Sequence, residues 1–323
     1  MDVRHLQALV AVAEHRSFSA AAEALGTVQS NVSAHVARLE RELGATLVER
    51  SSGTLTPEGE VVATRTYRVL GELEAIGSDL GALRQEVAGF VRAGMIGTTA
   101  RWLVPLLLSE LGTRHPNLRL TVAEGTNTLL EPQLGAGRLD MAVLTAPVAG
   151  RELSFEPLFE EDLVLVVPAD DDPVAGAHRV DLADLAELDL LLPAPGTTLR
   201  AELDAAVKPV GVALRARAEL DGIRLIATLT FEGYGPAVLP ATAVPPHLRQ
   251  RFRLVAVEGL SARHVGLALR SRGMPSAPTR AVLETLRRLV SGPDPLPEGL
   301  RSLTPAAASR AEGSWRPVGV PTG

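Results

Sequence analysis

The chain has 323 residues, enough for two or three domains, with a formal charge of −6 and no cysteine. The missing thiols exclude disulfides, thiolate metal sites and thiol nucleophiles. No run of about 18 apolar residues is present, so no membrane-spanning helix is expected, and Met1-Asp2-Val3-Arg4-His5 lacks the apolar core of a signal peptide, so a cytoplasmic location is expected.

A first helix is expected over 2–15, with Leu6, Leu9, Val10 and Ala13 as its buried stripe. Ser17-Phe18-Ser19-Ala20-Ala21-Ala22-Glu23-Ala24-Leu25 can form a second, and Gly26-Thr27-Val28 breaks it. A third, over 29–43, buries Val32, Val36, Leu39 and Leu43 at four/three spacing. Two helices joined by a tight turn with glycine mark a helix-turn-helix, whose second helix enters the major groove of DNA. That helix turns Gln29, Ser30, Asn31, Ser33, Ala34, His35 and Arg38 outward. Short amides and hydroxyls near a helix N-terminus suit base edges and phosphates, whereas a merely solvated face more often carries Glu and Lys.

Gln29, Ser30, Asn31 and Ser33 are candidate base readers; for each alone, phosphate contact or solvation is as compatible. Arg38 and Arg50 are the phosphate candidates, although Arg38 can instead pair with Glu42 at i+4. Thr27 can cap the helix where Val28 cannot, and His35 meets phosphate or solvent. The first 56 residues hold five Arg against six acids, a balance of −1. So few cations give weak nonspecific affinity, and a second copy of the domain is almost required.

Residues 46–50 and 54–56 read as two short strands around Ser51-Ser52-Gly53, a wing that also offers Thr54 to DNA. Pro57 suits the first position of a new helix. Over 57–88, Val62, Thr66, Val69, Leu73, Ile76, Leu80, Leu83 and Val87 repeat at 4, 3, 4, 3, 4, 3, 4, the period of a coiled coil, which points to a homodimer. The alternative is one amphipathic helix packed on its own domain. About 45–50 Å of rod is too long for a small domain to cover, and Gly71, Gly77 and Gly81 each cost about 1 kcal/mol relative to Ala, so a partner must stabilise it.

Strands are then expected over 90–96, 118–123 and 141–144, with helices over 102–111 and 129–134. A second unit follows the run 163–168, with a strand over 188–192, a helix over 199–207 and a strand over 216–220. This alternation implies a mostly parallel sheet with helices on both faces. Gly97-Thr98-Thr99, Gly125-Thr126-Asn127 and Gly196-Thr197-Thr198 each precede a helix. Glycine admits close approach and helix N-termini favour anions, and ligands of open α/β sheets bind beyond the carboxyl ends of the strands. Each loop alone reads as ordinary capping; three together read as a ligand cleft. Thr98, Thr99, Thr126, Asn127, Thr145, Thr197 and Thr198 are its candidate residues, with Arg101 and Arg200 as possible carboxylate clamps. The acidic run 169–172 reads as a solvated turn, and residues 291–323, with six Pro and five Gly, as a disordered tail.

An enzyme would need a nucleophile with a base, paired carboxylates or a metal cluster. The seven His are scattered, no metal site, cofactor or catalytic residue is expected, and the only lysine, Lys208, sits beside Pro209. An enzyme or small-molecule-binding module with an incidental helical domain is the weaker alternative.

The chain resembles the LysR-type transcriptional regulators. The resemblance rests on residues 17–25, on Val28-Gln29-Ser30-Asn31-Val32-Ser33, and on 39–50 followed by Leu55-Thr56-Pro57-Glu58-Gly59. Downstream it rests on Gly137-Arg138-Leu139-Asp140-Met141-Ala142-Val143 and on 232–240. It spans about residues 1–290. Ala34 and His35 depart from it, where Arg or Gln is common. The resemblance implies α + α/β architecture: a winged helix-turn-helix over 1–58, a linker and dimerisation helix over 59–89, and an effector-binding domain over 90–290 like the type 2 periplasmic binding proteins. Its subdomain I would cover about 90–163 and 265–290, and subdomain II about 168–263. Also implied are a promoter or operator in double-stranded DNA as partner, a small-molecule effector between the subdomains, and a homotetramer built on the homodimer.

Overall fold

A computed structural model describes residues 1–84, 86–170, 173–174 and 176–303. Helix α1 (Val3–His15) begins where the Asp2 carboxylate accepts the Arg4 amide at 3.0 Å, and ends at Arg16 in the left-handed conformation, φ 49°. Helix α2 (Phe18–Ala24) is capped by Ser17, whose Oγ accepts the Ala20 amide. Helix α3 (Gln29–Leu43) starts at Val28, which has no side chain to cap it. Thr27 does not take over that role; its Oγ1 accepts from Asn31 Nδ2 instead. The three helices close around Leu9, Val12, Ala21, Val32, Val36 and Leu39, together with Leu47 and Val48. Leu43, expected in that stripe, is 44% exposed because the last turn of α3 runs past the core.

The wing is slighter than two strands. A single bridge, Val48 to Leu55, is flanked by Glu49 N–H to Thr54 O at 2.8 Å and Thr56 N–H to Leu47 O at 3.0 Å. Helix α4 (Pro57–Ala82) is capped by Thr56 Oγ1, which accepts the Gly59 amide. It ends at Ala82, before the expected boundary of 88, with Gly77 and Gly81 in its last two turns withdrawing helix propensity. Leu83 and Val87 therefore lie outside it. Ala63 and Thr66 are buried and Val62 half-buried, but Val69, Leu73, Ile76 and Leu80 are 45%, 44%, 59% and 59% exposed. Farther along, Arg68 Nε donates to Gly135 O at 3.1 Å, and Asp79 Oδ1 accepts the Ala277 amide at 2.7 Å.

The first α/β unit begins with β1 (Gly89–Ile96), α5 (Gly97–Arg114), β2 (Leu118–Gly125), α6 (Asn127–Ala136), β3 (Met141–Thr145) and β4 (Leu153–Glu161). The chain crosses at Asp162 into β5 (Leu163–Pro168), β6 (Arg179–Val180), β7 (Asp189–Pro193), α7 (Thr198–Val207) and β8 (Arg215–Leu220). Then follow α8 (Ile223–Phe231), β9 (Ala237–Pro240) and β10 (Phe252–Val257). It returns with β11 (Arg263–Arg270), α9 (Ala277–Ser291) and β12 (Leu300–Ser302). The apolar run 163–168 is thus a central strand of the second unit, not the connection before it; five of its six residues are buried.

The first sheet has the order β12-β4-β11-β3-β1-β2, the second β6-β10-β5-β9, with β7-β8 beside it. The expected mostly parallel sheet holds only in part. Strands β1, β2 and β3 are parallel, but β11 lies antiparallel between β3 and β4, and β12 pairs antiparallel with β4 at the edge. Helices cover both faces of β1. A Cβ on Gly94 would meet Leu130 of α6 at 3.1 Å, and one on Gly89 would meet Pro278 of α9 at 3.3 Å, and these positions have opposite parity.

The expected tail is ordered at its start. Strand β12 pairs with β4, and Arg301 reaches Asp162 at 2.7 Å and Glu160 at 3.0 Å. The remainder, 304–323, lies outside the described residues, as do 171 and 172 of the acidic run.

Candidate nucleic-acid interface and ligand cleft

The outer face of α3 assembles most of the residues expected at DNA. Gln29, Ser30, Asn31, Ala34 and Arg38 are exposed; Ser33 and His35 are half-buried. Several are held in place. Gln29 Oε1 accepts from Ser19 Oγ at 3.1 Å, and Asn31 Nδ2 donates to Thr27 Oγ1 at 3.0 Å. The His35 ring lies 5.4 Å from that of His5. Arg38 leans on Glu42 at 3.4 Å, the i+4 alternative, and its side chain stays mostly exposed. Thr54 shares a 2.6 Å hydrogen bond with Ser52 at the wing tip.

Arg50 is engaged rather than free. Its Nη2 meets Glu40 Oε2 at 2.6 Å, its Nη1 donates to Ser33 Oγ at 3.4 Å, and its guanidinium lies 5.0 Å from the Phe18 ring centroid. Glu40, which the sequence reading passed over, also accepts the Leu47 and Val48 amides at 2.9 and 3.3 Å. One carboxylate thus ties the wing to α3. Its i+4 spacing from Val36 places it at the rim of the core stripe, the only signal it gave.

A cavity of about 290 Å³ opens between the two α/β units. Thr98, Thr126, Asn127, Thr145 and Thr198 line it, as expected from the sequence. Asn127 and Thr145 form one wall: Asn127 Nδ2 donates to Thr145 O at 2.6 Å, and its Oδ1 accepts from Thr145 N and Oγ1. Thr98 and Thr99 stand in the first turn of α5, which starts earlier than 102. Four expected residues do not line the cavity. Thr99 is fully buried with its hydroxyl unpartnered among the described residues. Thr197 caps α7 through the Arg200 amide. Arg101 donates to Ala243 O at 3.3 Å. Arg200 is likewise committed, to Glu219 at 2.6 Å and Asp204 at 2.9 Å.

The cleft's charged residues were missed. Glu124 of β2 and Arg224 of α8 meet at 2.6 Å and bridge the two units. A Cβ on Gly97 would come within 2.5 Å of Glu124 Oε1, so only glycine lets that carboxylate sit there. Glu202 and Arg263 also line the cavity. Burial raises the Glu202 pKa, partly opposed by the charge of Arg263 and assisted by that of Glu161. Glu202 was legible, standing four residues after Thr198 on one face of α7. Arg263 and Arg224 were not, since β11 and α8 carry no periodic pattern that distinguishes them.

A larger hollow, about 710 Å³, lies between α1, α4 and the end of α6. Tyr67 faces it, its phenol pKa raised by burial and by Glu14. It is the gap where the winged domain meets the first α/β unit, lined by Glu14, Glu60, Glu74, Arg92 and Arg138.

Comparison with known proteins places both regions in one family. The description "Bacterial regulatory helix-turn-helix protein, lysR family" matches residues 3–60, and "LysR substrate binding domain" matches 84–291. A probable hydrogen peroxide-inducible genes activator of Streptomyces viridosporus is 34% identical over 88% of this chain and 93% of its own. OxyR of Escherichia coli, described as a DNA-binding transcriptional dual regulator, is 30% identical over 90% and 95%. The solved structure of a full-length OxyR variant from Pseudomonas aeruginosa superposes with a TM-score of 0.73 at 27% identity, covering 90% of this chain and 96% of that one.

Proposed function

Since the chain belongs to the LysR family of bacterial transcriptional regulators, we propose that it works as a homodimer, paired further into a homotetramer, on promoter DNA. It is a DNA-binding regulator with an effector-binding domain, and not an enzyme. Two copies of α3 enter successive major grooves of a partly symmetric site. Gln29, Ser30 and Asn31 read base edges, with Ser33, His35 and Thr54 at the margin. Arg38 supplies a phosphate contact, and Arg50 reaches phosphate only by leaving Glu40. The exposed seam of α4, from Val69 to Leu80, joins the two protomers. As a regulator of promoters it acts in the cytoplasm.

The observation that carries this reading is the first turn of α3. It presents Gln29, Ser30 and Asn31 to solvent at a helix N-terminus that no side chain caps, so free amides and polar side chains are offered together. With a balance of −1 over the first 56 residues, affinity rests on these placed groups and on dimerisation.

The relatives' names mention hydrogen peroxide, but this chain has no cysteine. A thiol-oxidation step therefore cannot be its signal. Its effector is held non-covalently in the cleft, closing the two units around the Glu124–Arg224 bridge and resetting the dimers. Such a ligand acts only if it binds one arrangement better than the other. Fluorescence anisotropy with the DNA upstream of its own gene tests the reading. Gln29→Ala with Ser30→Ala should weaken specific binding about 10-fold or more with thermal stability unchanged. Unchanged affinity would count against α3 as the reader.

A further inference from the structure

Two charged side chains that line the cleft carry buried polar atoms that no protein group hydrogen-bonds. Glu202 Oε2 and Arg263 Nε are both buried without a hydrogen-bond partner among the described residues. Glu161, fully buried and opposite Arg263 in the β4–β11 register, gives one oxygen to Thr242 and leaves Oε2 equally unpartnered. Buried polar groups left unpaired are costly, and a native site that keeps several awaits something. At the mouth, Glu124 and Arg224 satisfy each other. Glu202 and Arg263 thus bring one unpartnered carboxylate oxygen and one unpartnered guanidinium nitrogen to the cavity lining.

Helix N-termini add partial positive charge to the same lining. The N-terminal residues of α5, α6 and α8 all line the cavity, and their N-cap positions, Ile96, Thr126 and Gly222, make no side-chain capping bond. Three helix N-termini with free amides converge there. Ile96, Leu129, Leu199 and Ile223 supply the apolar part of the lining. A volume of about 290 Å³ falls at the small end for ligand pockets, which run from about 300 to 1,000 Å³.

Resting on the reading of this cleft as the effector site, we infer that its ligand is a small zwitterion with an apolar body, such as an apolar α-amino acid. The ammonium pairs with Glu202, and the adjacent carboxylate meets Arg263 and the uncapped helix amides. The raised Glu202 pKa agrees with this arrangement, because an arriving cation supplies the partner that burial withholds.

Calorimetric titration of the full chain with L-leucine, L-methionine and L-phenylalanine tests it, each beside its decarboxylated amine and its deaminated acid. At least one amino acid should bind, with its amine and its acid about 10-fold weaker or worse. Glu202→Gln should weaken that amino acid about 10-fold and leave the acid's affinity unchanged, while Arg263→Gln weakens both. An acid that binds more tightly than its amino acid, indifference to Glu202→Gln, or no binding by any of the nine compounds would overturn the inference. DNA protection measured on the same preparation keeps the two readings apart. Protection with no amino-acid binding sinks only the ligand class; loss of protection strikes at the regulator itself.

Discussion

Glu40 and Arg50 join the recognition helix to the wing: Arg50 Nη2 lies 2.6 Å from Glu40 Oε2, while Glu40 Oε1 holds the Leu47 and Val48 amides. Bonds to a charged acceptor contribute about 1.5–3 kcal/mol each, and Glu40 is largely shielded from solvent. Glu40→Ala should therefore destabilise the winged domain by about 2–3 kcal/mol and weaken DNA binding. Glu40→Gln, which keeps an acceptor for the amides, should lose less. Thermal unfolding and DNA titration of both variants read this out; equal losses would assign the effect to the ion pair alone.

Gly59 is fixed by contact rather than by backbone angle. A Cβ there would sit 2.0 Å from Leu47 O. Gly59→Ala must push the start of α4 away from the wing strand, and should cost about 3 kcal/mol or more. Gly71→Ala, where a Cβ meets open space, should instead stabilise by up to about 1 kcal/mol. Denaturant midpoints of the two variants should move in opposite directions.

The α4 seam predicts an oligomer that can be broken without unfolding. Leu73→Glu with Ile76→Glu places charge on side chains that are exposed in the protomer. Light scattering should show dissociation to monomers, far-ultraviolet dichroism should be unchanged, and DNA affinity should fall about 100-fold as one half-site is lost. A dimer that survives both substitutions would place the interface elsewhere.

Asn127 makes three hydrogen bonds to Thr145, tying α6 to the end of β3. Asn127→Leu has similar bulk and none of those groups. It should lower stability by about 1–3 kcal/mol and abolish any ligand-induced rise in Tm. A variant that unfolds earlier yet keeps the full ligand shift would remove Asn127 from the cleft's recognition.

Glu202 sets a pH dependence. Burial raises its folded pKa above the unfolded value, so folding favours the protonated form. The resulting stability is present below the ordinary glutamate range and is lost as pH rises toward the folded pKa. Glu202→Gln should thus raise the Tm of the free protein by about 1–3 °C at pH 7, and the gap should close in acid. A gap independent of pH would mean that the carboxylate is not penalised by burial.

What the sequence disclosed follows from which patterns are local. The stripe Val32, Val36, Leu39 and the break at Gly26 are short-range signals, and both survive in the fold. The glycine–threonine steps at 97–99, 125–127 and 196–198 likewise end at helix N-termini, because turn and cap preferences act over a few residues. Contacts made across 81 to 142 residues left no such mark. Glu161 with Thr242, Glu124 with Arg224 and Arg101 with Ala243 depend on how the units close. The antiparallel return of β11 and the added strand β12 were hidden for the same reason. The short end of α4 was partly legible in Gly77 and Gly81, which a heptad count overlooks.

That α3, carried twice by a dimer, reads a symmetric DNA site is open to direct test. Footprinting on the DNA upstream of the chain's own gene, at two salt concentrations, tests it most directly. Two protected half-sites about one helical turn apart or a multiple of it are expected, lost with Gln29→Ala plus Ser30→Ala and reduced to unstable half-site contact with Leu73→Glu plus Ile76→Glu. Protection unaffected by the α3 substitutions, or a single asymmetric site bound by monomer, would contradict it.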